Sequence, residues 1–409
     1  MNADVVVVGA GPAGISSAIT LAKQGLRVVV IDEFFSTGGR LLGQLYEDPK
    51  APKENRQWDG KVIATQLTEE ALSLGVIILC NTTVWKIERN FVVSVSDKHI
   101  KEILAKSIIL ATGAIEKALP VPNWTKVGVV SVGAAQTFTN LYNVKIGKKV
   151  LFVGIDPLSI SVAIEMQNVG IDVIGMILPA PTILTGSKSN PKETLETLAL
   201  AADLAPNKAF QLFGKLVKGK ITTFVLHLLT LNILKINGIP IYLRKAVMQI
   251  NGAQEVESVT INKISVDGEI QENTDEILAV DTVCLSGGLL PLVDCSQLVN
   301  CTHVDIPEMG GIVPLHNQYL KTTINGVYVA GNITGIEGAK VAMAQGRLAA
   351  VSLLEDLQLV NHHEVIKAFE SVEDARKASP ILFLPNIRKG RDLMQMKWEE
   401  YFHGQEGKS

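Results

Sequence analysis

The residues best placed to do chemistry come within the first thirty-odd positions. Gly9-Ala10-Gly11-Pro12-Ala13-Gly14 fits G-x-G-x-x-G and lies between an apolar run, Val5–Val8, and a helical pattern from Ile15 to Lys23. Each glycine then has a mechanical reason. Gly9 makes a tight turn, Gly11 lacks the Cβ that would hold a pyrophosphate away from the backbone, and Gly14 lets the helix approach the strand. The helix N-terminus that follows Gly11 adds free N–H groups and a partial positive charge that favour phosphate. A second apolar run, Leu26–Ile31, ends in Asp32 with Glu33 beside it. A carboxylate at Asp32 can hydrogen-bond a ribose hydroxyl and would repel a 2′-phosphate. The chemistry implied is the holding of an adenine dinucleotide.

The same pattern restarts at Gly154, 145 positions after Gly9 (154 − 9). There the turn reads Gly154-Ile155-Asp156-Pro157-Leu158-Ser159, and only the first glycine remains. Asp156 brings bulk and like charge to the place where a pyrophosphate must approach, and Ser159 replaces the packing glycine. The next strand ends Leu178-Pro179, with no acid for a ribose and no arginine for a 2′-phosphate. The expectation is a second Rossmann unit kept as scaffold, with NAD(P)H or another nucleotide as the open alternative.

The surrounding elements follow from periodicity. Short apolar runs suit buried parallel strands at Val5–Val8, Leu26–Ile31, Val76–Leu79, Ser107–Ala111, Val150–Val153, Ile171–Ile177 and Gly326–Ala330. Helices are expected at Val62–Leu74 and Leu158–Val169, and one starts near Glu337. Positions 35–59 read as a long functional loop. Val84–Val95 reads as a small antiparallel unit, and Ile239–Val283 as alternating strands with turns at Asn251-Gly252 and Asp267-Gly268. The fold class is α/β, two interleaved Rossmann-like domains with parallel sheets, small antiparallel units and a helical C-terminal tail. The expected division is 1–117 plus 283–355 for the first domain. The second covers 118–282 with a helical insert at about 180–237, and the tail covers 356–409.

Composition narrows the function classes. Apolar residues make up 47% and charged residues 19% of 409 positions, enough for sizeable cores. A formal net charge of −3 argues against a nucleic-acid partner. Cys80, Cys284, Cys295 and Cys301 have no metal-site or cluster spacing and read as reduced structural thiols, so no metal is expected. No apolar run is long enough to span a bilayer, and no leader precedes Val5, which points to a cytoplasmic protein. Leu204–Gln254 contains lysine and arginine but no Asp or Glu. That segment fits an interface between subunits, intramolecular packing or peripheral contact with an anionic membrane. His227, His303, His316 and His362-His363 are scattered and read as structural or surface residues.

With these residues in view, the chain resembles the two-dinucleotide-binding-domain flavoproteins, the pyridine nucleotide-disulfide oxidoreductase-like class. Gly38-Gly39-Arg40 follows the acidic residues, Ala111-Thr112-Gly113 closes a strand, and Gly331-Asn332 ends the late strand. The resemblance implies that FAD lies on Gly9, Gly11, Pro12, Ala13, Gly14, Asp32, Glu33, Gly39, Arg40, Ala111, Thr112, Gly113, Gly331 and Asn332. Asn332 departs from the class, which carries Asp there. Gly335–Ala342 would turn a helix start toward the flavin's pyrimidine end. Gly38–Gln44, Ala111–Lys117, Pro120, Pro122, Trp124, Gly128 and Gln136 are similar to the FAD/NAD-binding subunits of heteromeric amine and amino-acid dehydrogenases. That group includes dye-linked proline dehydrogenase, opine oxidase, hydrogen cyanide synthase and sarcosine oxidase relatives.

The resemblance implies an FAD-dependent electron-transferring subunit with a small-molecule substrate. Its expected partner is a second flavoprotein subunit, with or without homo-oligomerisation. Leu41 and Leu42 stand where some disulfide reductases of the class carry cysteines, and no cysteine lies between Cys80 and Cys284, which argues against that activity. The alternatives are a stand-alone NAD(P)H:acceptor oxidoreductase and a non-catalytic nucleotide-binding subunit. No catalytic acid or base is assigned.

Overall fold

The computed structural model describes residues 1–48, 51–202, 222–223, 226, 234–379 and 382–406. Two sheets organise them. The first is fully parallel, in the order Val327–Val329, Ser107–Leu110, Val5–Val8, Val28–Ile31, Ile77–Leu79. Its central strands are buried on both faces, which is why they are continuous Val/Ile/Leu runs and do not alternate. Helices Pro12–Ala22 and Ala339–Asp356 cover one face, packed through small residues such as Ala18, Ala349 and Ala350. The other face meets a three-stranded antiparallel unit, Val84–Ile87, Val92–Val95 and Glu102–Leu104.

The second sheet runs Val129–Ser131, Thr282–Leu285, Lys149–Val153, Asp172–Pro179, Ile239–Asn251, Ser258–Lys263, Glu276–Ala279. It is parallel as far as Ile239–Asn251 and antiparallel beyond. Helix Pro157–Asn168 packs on it through Val162, Ala163 and Met166. Each sheet therefore contains a strand–glycine turn–helix–strand unit, and the two Rossmann-type units are interleaved along the chain.

Several expectations are adjusted. Thr282–Leu285 belongs wholly to the second sheet, so a boundary at 283 would cut a strand. The stretch 35–59 is not one loop. It holds a 3-10 turn, Gly39–Gly43, and a hairpin, Leu45–Glu47 with Gln57–Asp59. Within the expected insert at 180–237, the described residues include helix Pro191–Ala202, whereas Leu234–Ile236 is an antiparallel strand turned by Asn237-Gly238. Of the basic segment Leu204–Gln254, most of 204–233, with His227, lies outside the described residues. The tail forms two helices, His362–Ala378 and Ile387–Glu406. Among the described residues no helix is long and apolar enough to cross a membrane.

Candidate functional site

The first glycine turn has the shape its spacing predicts. Gly9 takes a φ of +104°, and a Cβ there would lie 2.3 Å from the Ala111 carbonyl oxygen. A Cβ at Gly14 would lie 1.8 Å from the Gly9 oxygen, whereas one at Gly11 would meet nothing within 4 Å. The outer glycines are thus required by protein packing, and the middle one faces open space. Helix Pro12–Ala22 starts from Gly11 with no side chain capping it, so its N-terminal N–H groups stay available to an anion. Gly38 donates its N–H to the Ala10 oxygen at 2.8 Å, bringing Gly39 over Gly11. Ala13 is buried, and a Cβ added at Gly331 would stand 2.9 Å from its own. The methyl of Ala13 therefore serves packing between the turn and the late strand.

Other predicted residues are engaged in less expected ways. Both Asp32 oxygens accept backbone N–H groups, Ala10 at 2.6 Å and Phe34 at 2.8 Å. Burial raises its carboxyl pKa and these two bonds oppose the rise. Asp32 thus shapes the turn, and Glu33, exposed at the strand end, is the freer carboxylate. Thr112 donates its hydroxyl to the Leu292 oxygen at 2.6 Å, and Leu292 donates its N–H to the Gly113 oxygen at 3.0 Å, so this strand end is locked to the crossing segment. Arg40 donates to the Ala114 oxygen at 3.2 Å and lies 3.8 Å from Glu116. Glu116 in turn accepts the Gly133 N–H, tying the Gly-Gly turn to helix Val132–Gln136 beside the second sheet.

At the late strand, Gly331 donates its N–H to Gln345 Oε1 at 2.9 Å, and Asn332 Oδ1 accepts the Glu337 N–H at 3.0 Å. With its oxygen engaged, Asn332 offers a ligand its amide N–H groups, where an aspartate would only accept. Helix Ala339–Asp356 begins at Gly338 with no side-chain cap. Its approach is fixed by a buried ion cluster that no motif signalled. Glu337 pairs with Arg376 at 2.8 Å and with Arg391 at 2.5 Å, and Arg391 also donates to the Thr334 oxygen at 2.8 Å. His316 lies against this cluster. Its Nδ1 bonds the Pro314 oxygen at 2.7 Å, and burial with the adjacent Arg391 holds its pKa down at about 3, so the ring is neutral.

A cleft opens between the sheets, lined by Gln44, Tyr46, Gln136, Ser161, Lys340 and Phe383 among others. Lys340 pairs with Asp48 at 2.5 Å and stands over the Trp58 ring at 5.4 Å, and Trp58 Nε1 donates to Gln44 Oε1 at 3.0 Å. Behind the cleft wall lies a buried carboxyl, Glu165, bonded by Gln136, Asn140 and Ser161. In sequence, Gln44 and Gln136 stand out only through the resemblance, and Tyr46, Asp48, Trp58, Ser161 and Glu165 carry no motif and meet only through the fold.

The second glycine turn keeps the backbone and fills the space. Gly154 takes a φ of +97°, and a Cβ there would lie 2.2 Å from the Ser286 oxygen, the same constraint as at Gly9. At the position of Gly11 stands Asp156. Its Oδ1 accepts the Ser159 N–H at 2.9 Å, and its Oδ2 accepts from Lys188 Nζ at 2.7 Å and Ser286 Oγ at 2.8 Å. Ser159 returns a bond to the Asp156 N–H at 2.9 Å, completing a capping box. Burial opposes ionisation, but Lys188 and the hydrogen bonds prevail, and the carboxyl is held below its usual range. The helix N-terminus that would receive a phosphate receives the chain's own carboxylate.

Two parallel-sheet Rossmann units, one open glycine turn, a Gly-Gly approach and two uncapped helix starts define the dinucleotide-binding oxidoreductase class. The residues of the first unit fit FAD, since the cradle at Gly11 is the one place in the turn where a Cβ would meet nothing. The chain belongs to the pyridine nucleotide-disulphide oxidoreductase family, which matches residues 3–199 and 228–346 and is FAD-binding. It is 27% identical to an opine oxidase subunit of Agrobacterium tumefaciens over 88% of this chain and 66% of that protein. It is 25% identical to hydrogen cyanide synthase subunit HcnB of Pseudomonas protegens over 93% of this chain and 76% of that one. The chain thus spans about two thirds of the opine oxidase protein. Among solved structures, L-proline dehydrogenase from P. horikoshii superposes with a TM-score of 0.63 at 19% identity, covering 92% of this chain and 59% of that one. Thioredoxin reductase from T. acidophilum superposes with 0.60 at 21% identity, covering 87% and 99%. These two likenesses concern the fold.

Proposed function

We propose that this chain is the FAD-carrying, electron-transferring subunit of a heteromeric dehydrogenase acting on an amine, an amino acid or a related small metabolite. Electrons reach its flavin from a partner flavoprotein and not from NAD(P)H. The observation that carries this reading is the contrast between the two glycine turns, the first open at Gly11 and the second filled by Asp156 and Lys188. The partner is argued from relatives named as subunits, those of opine oxidase and of hydrogen cyanide synthase.

In this reading the protein binds and orients, and FAD when bound supplies the two-electron redox chemistry. Gly11 and the start of helix Pro12–Ala22 receive the pyrophosphate, and Glu33 takes the ribose. Asp32, Thr112 and Arg40 hold the cradle in shape, Asn332 donates to the ribityl region, and the start of helix Ala339–Asp356 favours negative charge at the ring's pyrimidine end. The FAD-binding unit comprises the residues of the first sheet with its covering helices, and the second unit is scaffold. Disulfide reduction is not part of the proposal. No cysteine lies between Cys80 and Cys284, and burial pushes the thiols of Cys295 and Cys301 up to about 11, away from thiolate chemistry.

The test is co-expression with a candidate partner flavoprotein and an amine and amino-acid panel. The expected result is a stable complex whose flavin is reduced by one substrate class and not when this chain is alone. Rapid substrate reduction of the isolated chain would overturn its assignment to a heteromeric enzyme.

A further inference from the structure

Glu165 lies on helix Pro157–Asn168, turned toward the Gly39–Gly43 turn and away from solvent. Ser161 Oγ donates to its Oε1 at 3.1 Å; Gln136 Nε2 and Asn140 Nδ2 donate to its Oε2 at 3.1 and 2.5 Å. Every donor is neutral, and no ion pair reaches the carboxyl among the described residues. Gln136 and Ser161 line the cleft, and Asn140 also donates to the Gly43 oxygen at 2.7 Å. One buried carboxyl thus anchors the second-sheet wall of the cleft and ties it to the turn that lies over Gly11.

Burial without a compensating cation pushes this carboxyl up to about 7, the three hydrogen bonds offsetting only part of the effect. Of the charged groups on the elements around it, Arg40 of the Gly39–Gly43 turn donates to the Ala114 oxygen and Lys61 donates to the Leu141 oxygen at 3.2 Å. Tyr46, on Leu45–Glu47, faces it, its hydroxyl pushed up by burial, Asp48 and Glu165. Asp48 is held by Lys340. Helix Val132–Gln136 and the π-helical turn Thr137–Leu141 bring no titratable side chain. Glu116 lies at the far end of Val132–Gln136 on the Gly133 N–H, Asp156 is held by Lys188 at the start of Glu165's own helix, and Asp172 is exposed at the start of the neighbouring strand.

We propose that Glu165 is a proton-linked positioning residue, whose ionisation decides whether Gln136 and Ser161 turn acceptors or donors toward the flavin cleft. The inference rests on the proposed function, in which the flavin's pyrimidine end lies at the start of helix Ala339–Asp356, where Gly338 and Ala339 line this cleft. Ionised, Glu165 can only accept, so Ser161 and Gln136 must donate to it and leave their oxygens for the cleft. Protonated, it must donate. The amide nitrogens of Asn140 and Gln136 cannot accept, so the proton goes to Ser161 Oγ or to a rotated Gln136 Oε1. That frees an O–H or N–H for the cleft, a wall that favours added negative charge on a ring bound there.

The experiment compares FAD-loaded full chain, wild type and Glu165→Gln, by visible absorbance between about pH 5.5 and 8.5. Denaturation midpoints of both proteins without FAD are measured over the same range. Gln fits the same space and carries a donor, as the protonated acid does. The expected result is a one-proton shift of the wild-type flavin band with a midpoint near 7, absent from Glu165→Gln, which keeps the low-pH spectrum throughout. Without FAD, the wild type loses stability relative to the variant as pH rises through the same midpoint. The same flavin transition in the variant, or none in the FAD-loaded wild type, overturns the inference. If neither protein holds FAD the functional reading falls, and the FAD-free comparison alone then decides whether Glu165 titrates. If Glu165→Gln does not fold, Ser161→Ala replaces it; loss of a donor to the ionised form should move the wild-type midpoint upward, and an unmoved midpoint overturns the inference.

Discussion

At Gly9 and at Gly154 the chain makes the same turn. Both residues take a left-handed φ, and a Cβ at either would press within 2.3 or 2.2 Å of a carbonyl oxygen on the adjoining strand. Two positions later the turns part. Gly11 borders open space, whereas Asp156 turns a carboxylate onto the helix start and binds Lys188 and Ser286. A helix N-terminus carries N–H groups that need an acceptor. In the first unit no side chain caps the helix start, and in the second the need is met from within the chain. The same Rossmann backbone is thus kept with the middle position of the turn open in one unit and filled in the other.

Copying the second turn into the first is the largest expected break of that comparison. Gly11→Asp should lower FAD occupancy by at least about 100-fold, since a carboxylate would meet the pyrophosphate with like charge. Stability should change by only about 1 kcal/mol, because a Cβ at Gly11 meets nothing within 4 Å. Flavin absorbance per protein and a denaturation curve check both halves. Next come Gly9→Ala and Gly154→Ala, which should each cost about 2–4 kcal/mol, alike in both units, because the clash and the left-handed φ are alike. Unequal losses in urea unfolding would mean that the two turns are not mechanical equivalents.

Removing the internal cation is expected to act next in size. Lys188→Ala leaves a buried carboxylate uncompensated, at about 2–3 kcal/mol. The folded Asp156 pKa is depressed, so its contribution is present above the unfolded value of 3.8 and is lost as pH falls through the lower folded value. Unfolding measured down to acid pH should show that loss in the wild type and not in Asp156→Asn. The smallest effect separates two neighbours. Asp32→Ala should cost about 1–3 kcal/mol by orphaning the Ala10 and Phe34 N–H groups. Glu33→Gln should leave stability unchanged and weaken FAD binding about three- to tenfold by titration.

The sequence carried much of this because glycine spacing is local. Gly14 is required by the Gly9 carbonyl of its own turn, so that part of the pattern could be read directly from the chain, whereas the carbonyls that require Gly9 and Gly154 come from Ala111 and Ser286 in the neighbouring strand–loop segments. Asp156 was legible as an intruder, but its partners were not: Lys188 and Ser286 arrive from 32 and 130 positions away, and Ser159 proved a capping partner where only a missing glycine had been visible. Asp32 and Glu33 differ by one position along a strand, and only the register of Ala10 and Phe34 shows which is committed to the backbone. Glu337, just ahead of helix Ala339–Asp356, meets Arg376 and Arg391 from two helices that in sequence look merely polar. Glu165 looked like any helix carboxylate until the fold enclosed it with Gln136 and Asn140.

The central claim is that the second unit does not deliver a nicotinamide cofactor to the flavin. Anaerobic addition of NADH, and separately NADPH, to the FAD-loaded chain tests it most directly, with the visible flavin band followed over time. The account predicts that the band stays that of oxidised FAD with either cofactor. Rapid bleaching by either would contradict it, because Asp156 and Lys188 would then have to yield their place to a pyrophosphate.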